Sequence, residues 1–85
     1  MDSEIKQIYW SRPQVIKMLK VPYTKFITWE KFFNVEAHRS IKASRKFAYF
    51  TMEQVALFHH IKRLMTEEKY TVEGAKIQLR KANLI

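Results

Sequence analysis

A chain of 85 residues, 47% hydrophobic and 14% aromatic, has material for one small core and none for a second domain. With no cysteine it has neither disulfides nor thiolate metal sites, and no apolar run marks a signal peptide or a membrane span. The reading is one soluble, cytoplasmic domain over residues 1–85, with 1–7 and 83–85 loose. Sixteen Lys and Arg against eight Asp and Glu leave a net charge of +8, which favours a polyanion, and no long basic amphipathic helix argues for a membrane partner.

The charge is unevenly placed. From Ile5 to Trp29 there is no acid, but Lys6, Arg12, Lys17, Lys20 and Lys25 are present. From Ala37 to Met52 there is again none, with Arg39, Lys42, Arg45 and Lys46. Along the chain, Ser11-Arg12-Pro13-Gln14 has capping-box spacing with Pro in the first turn, and Val15, Met18 and Leu19 supply an apolar face. This predicts a short helix ending near Lys20. Val21-Pro22 breaks it, and Phe26, Trp29 and Phe33 then recur at helical spacing. Two short helices so closely joined form a helix-turn-helix, whose second helix is offered to DNA.

Residues from about 34 to 49 lack a helical period, and Phe47–Phe50 favours strand, so a hairpin or wing is expected. Either Phe47 and Tyr49 or Ala48 and Phe50 supply its packed face. Thr51-Met52-Glu53-Gln54 is a second capping box; Val55, Phe58, Ile61, Leu64 and Met65 make a stripe on a helix to about Lys69. Thr71 caps a last helix bearing Val72, Ala75 and Leu79. The fold class is mainly α, a winged helix-turn-helix of about four helices with a small two-stranded wing. Val15, Leu19, Phe26, Trp29, Phe33, Val55, Phe58, Ile61 and Leu64 are the expected core.

The order of these elements resembles the DNA-binding domain of the MerR family of bacterial regulators. The resemblance is carried by Tyr9-Trp10-Ser11, by the spacing of Leu19-Lys20-Val21 to Trp29-Glu30, by Phe50-Thr51-Met52-Glu53, and by Tyr70-Thr71-Val72-Glu73-Gly74-Ala75-Lys76. It covers about residues 8–82 and implies a winged helix-turn-helix that reads promoter DNA as a dimer held by a long C-terminal helix. Three positions depart from the pattern. Ile27 and Ala48 stand where the resemblance implies phosphate-binding arginines, and Lys20 replaces the glycine of the helix-turn-helix. Residues 83–85 fall where the dimerisation helix begins, so the expected protein is a monomer without an effector module.

Arg39, Lys42, Arg45 and Lys46 on the wing are expected on phosphates, which position without reading sequence. Readout falls to the second helix, where Thr24, Ile27, Thr28 and Lys31 point outward, flanked by Tyr23 and Lys25 at the helix start, with Thr24 and Thr28 as donors, Lys25 at a guanine edge or a phosphate and Ile27 against a thymine methyl. Catalysis, cofactor and metal find no support: His59 and His60 are adjacent, not at i, i+4, and no nucleophile stands beside a base. The expected function is a double-stranded DNA-binding protein, either a transcriptional regulator or a mobile-element accessory factor. The alternative is a protein-interaction module, or weak self-association, on a degenerate MerR-like scaffold through Ile27, Phe32 and Leu57.

Overall fold

The structure is a computed structural model that describes residues 9–42 and 45–85, and their side chains except those of 40–42 and 45–47. The expectation for residues 1–7 lies outside the described residues. Among the described residues the fold has four α-helices and a three-stranded antiparallel sheet of order β1-β3-β2. The strands are β1 (Tyr9–Ser11), β2 (His38–Lys42) and β3 (Arg45–Thr51). The helices are α1 (Arg12–Leu19), α2 (Tyr23–Phe32), α3 (Met52–Lys62) and α4 (Val72–Lys81).

The caps that start three helices form as their spacing predicts. The Ser11 hydroxyl accepts from the Gln14 amide at 3.3 Å while the Ser11 amide donates to Gln14 Oε1 at 2.9 Å. Thr51 and Gln54 repeat this reciprocal pair at α3, and Thr71 accepts from the Gly74 amide at α4. Helix α1 closes at Lys20, in the left-handed region with φ 58 and ψ 45, so a lysine takes the conformation that glycine adopts without steric cost. The Lys62 ammonium then donates to the Leu19 carbonyl at 2.6 Å, which binds the end of α1 to α3.

Three features add detail to the expected outline. The sheet has a third strand, because the extended residues before the Ser11 cap pair with β3, Trp10 opposite Phe50. Three residues are too few to show a period of two. The helix expected to run to Lys69 instead continues α3 as a π-helical turn over Arg63–Glu67, after which Lys69 takes a positive φ of 56. Residues 83–85 are exposed, and the Asn83 and Leu84 amides donate to the Arg80 carbonyl at 3.0 Å and the Leu79 carbonyl at 2.9 Å, closing α4 around a left-handed Asn83.

All nine expected core residues are buried, joined by Val35, Phe50, Ala75 and Leu79. Burial of Phe50 settles the wing's packed face in favour of Ala48 and Phe50. Phe26, Phe50 and Phe58 meet as a cluster, with ring centroids 4.4 to 5.8 Å apart. Each ring stabilises by about 1.5–3 kcal/mol through burial, so this trio, which joins α2, β3 and α3, sets where the wing stands relative to α2.

Candidate nucleic-acid interface

With Phe26, Trp29 and Phe33 directed inward, α2 turns Tyr23, Thr24, Lys25, Thr28 and Lys31 to solvent, and Ile27 is half-buried against the core. Tyr23, at the first turn, is 61% exposed. Pro22 at the N-cap has no side-chain oxygen to offer, so the first amides of α2 have no side-chain cap, and no acid occupies the first turn. That end of the helix carries partial positive charge beside Lys25. The Thr28 hydroxyl donates to the Thr24 carbonyl at 2.9 Å, so its hydrogen is engaged by its own helix and its oxygen faces solvent as an acceptor.

The wing is the β2–β3 hairpin. Its ladder pairs His38 with Tyr49, Arg39 with Ala48, Ser40 with Phe47, Ile41 with Lys46 and Lys42 with Arg45. All four candidate cations of the wing therefore lie on this hairpin, Lys42 and Arg45 as its last pair. Arg39 is exposed; the side chains of Lys42, Arg45 and Lys46 lie outside the described residues. At the base of the hairpin, Gln54 Nε2 donates to the Glu36 carbonyl at 2.7 Å, so the cap of α3 also holds the strand entry. Tyr49 carries His38 stacked at 5.4 Å and Tyr9 edge-on at 4.8 Å.

Between α2 and β2 lies an open cleft of about 420 Å³, with Arg12, Lys31 and Arg39 as its cations, Glu30 and Glu36 as its acids, and Ile27 in its wall. The Arg12 guanidinium donates from Nε and Nη2 to the two Glu30 oxygens, both at 2.9 Å, and lies 5.7 Å from the centroid of the Phe50 ring. The hydrogen bonds to Glu30 hold the Arg12 pKa above its ordinary value, against a smaller opposing effect of burial. Arg12 is absent from the expected site because its partner is 18 residues away and no local pattern joins them.

The three residues of the interaction-module reading do not gather around one cleft. Ile27 lines the α2–β2 cleft, Leu57 lines others beside Phe33 and Leu84, and both pack on the core; Phe32 is 46% exposed. Among the described residues no three His, Asp or Glu groups converge as metal ligands, and no helix is long and apolar enough to cross a membrane. In comparison with known proteins, residues 12–82 match the family described as MerR HTH family regulatory protein. No curated protein and no solved structure matches the chain.

Proposed function

Because the chain belongs to the MerR HTH family of regulatory proteins, a family of DNA-binding regulators and not of enzymes, we propose that it binds double-stranded DNA to control transcription. In this reading α2 enters the major groove, which is about 12 Å wide and admits a helix, while Arg39, Lys42, Arg45 and Lys46 meet phosphates. Lys25 reaches a guanine edge or a phosphate, Thr24 donates, Thr28 accepts, and Ile27 meets a thymine methyl with the part of its side chain left exposed. Tyr23 and Lys31 flank these at the two ends of the helix.

The observation that carries the reading is the outward polar face of α2 standing next to a hairpin whose residues, from Ala37 to Met52, include no acid. A segment with four cations and no acid of its own suits a polyanion, from which those cations release counterions on binding. Fluorescence anisotropy with labelled random-sequence duplex tests it, and salt-sensitive binding is the expected result. Phe32, 46% exposed at the end of α2, favours a second reading in which the domain docks a protein. Sedimentation that shows a tight dimer without DNA, dissolved by Phe32→Glu, would favour that reading over the first.

A further inference from the structure

Two features make Arg12 more than a brace between helices. Its guanidinium has five N–H groups, and the Nε/Nη2 edge is engaged by Glu30. The other edge has no hydrogen-bond partner among the described residues, and the side chain remains 24% exposed in the wall of the α2–β2 cleft. With Glu30 on one edge and the Phe50 ring beside it at 5.7 Å, the group is held in one orientation with donors to spare. Such a fork matches two oxygens of a phosphate, at little further entropic cost.

The surroundings have the matching charge. Arg12, Lys31 and Arg39 outnumber Glu30 and Glu36 around the cleft by one positive charge, which is what a single phosphodiester requires. Two neutral residues, Ile27 in the cleft wall on α2 and Ala48 on β3, each have one of these cations close by: Arg12 shares the cleft wall with Ile27, and Arg39 is the ladder partner of Ala48. Resting on the duplex reading above, we propose that this cleft is a backbone-phosphate site in which Arg12 is a direct ligand held ready by Glu30, with Arg39 and Lys31 beside it. Glu30 is then a positioning residue whose own charge opposes the phosphate.

This assignment makes Arg12 and Glu30 behave differently although they form one pair. Arg12→Met in the full chain should weaken binding to every duplex about tenfold and flatten the log–log salt slope by about 0.9. Glu30→Gln should leave the slope unchanged and bind as tightly as the parent or more tightly. Arg12→Lys, which keeps the charge and loses the fork, guards against an unstable Met variant and should keep the slope while losing affinity. Equal weakening by Arg12→Met and Glu30→Gln with an unchanged slope would reduce Arg12 to a brace and overturn the proposal.

A second probe separates this site from the duplex reading. Pyrophosphate titrated into the parent, followed through the Arg12 Nε–H resonance by NMR, should give a saturable shift. A parent that shows this shift but binds no duplex keeps the anion site and loses the duplex. Absence of the shift overturns the site, whether or not duplex binds.

Discussion

Helix α2 is held through its side chains, with Phe26, Trp29 and Phe33 buried and Glu30 tied to α1, whereas the wing is held through a backbone ladder and, among its described side chains, enters the core at Phe50. On α2 the residues that face solvent alternate with those that anchor the helix, so Thr28 stands beside Trp29 and Lys25 beside Phe26. Affinity and stability are therefore entangled there. On the wing the ladder hydrogen bonds belong to the backbone, so charge can be removed with little effect on the fold. The proposed interface thus joins a rigid reading element to an electrostatic one that can be altered on its own.

The strongest way to break this contrast is at an anchor of α2. Trp29→Ala should cost about 3–5 kcal/mol, enough to unfold so small a domain, and urea denaturation followed by circular dichroism measures it. A variant that melted near the parent would show that α2 is not held by its buried side chains. On the wing the expectation is reversed. Arg45→Ala with Lys46→Ala should flatten the salt slope by about 1.8 and weaken all duplexes alike, while stability stays within about 0.5 kcal/mol. Loss of stability would mean that the hairpin is anchored through more than its ladder.

Smaller effects sharpen the comparison where the two regions join. Thr51→Ala removes the hydroxyl that caps α3 at the end of β3 and should cost about 1 kcal/mol, read from the midpoint of thermal melting. Because Gln54 of the same cap also holds the Glu36 carbonyl, duplex affinity should fall with it; an unchanged affinity would uncouple wing placement from this cap. At the turn into α2, Lys20→Gly should stabilise by about 0.5–1 kcal/mol, since φ 58 strains a lysine and suits glycine. A destabilised Lys20→Gly variant would contradict the left-handed turn.

What was legible in the sequence depended on distance along the chain. Ser11 with Gln14, and Thr51 with Gln54, announce themselves because the partners are three residues apart, and the nine expected core residues follow from helical spacing alone. Strand alternation over Phe47–Phe50 left two faces open, because aromatics occupy both, and only packing against Phe26 and Phe58 chooses Phe50. Arg12 with Glu30, and Lys62 with the Leu19 carbonyl, join residues 18 and 43 apart, and no local pattern foretells either. The outward set on α2 could be read from its period, but not the engagement of the Thr28 hydroxyl by its own helix. We find no sequence feature that accounts for the π-helical turn over Arg63–Glu67.

The central claim is that this domain grips duplex DNA through cations on the wing. Its most direct test is the affinity of the parent protein for a random-sequence duplex at several salt concentrations, plotted as log affinity against log salt. Four wing cations on phosphates predict a slope of about −3.6, steeper once α2 and Arg12 contribute. A slope near zero, or no duplex binding at low salt, would contradict the account.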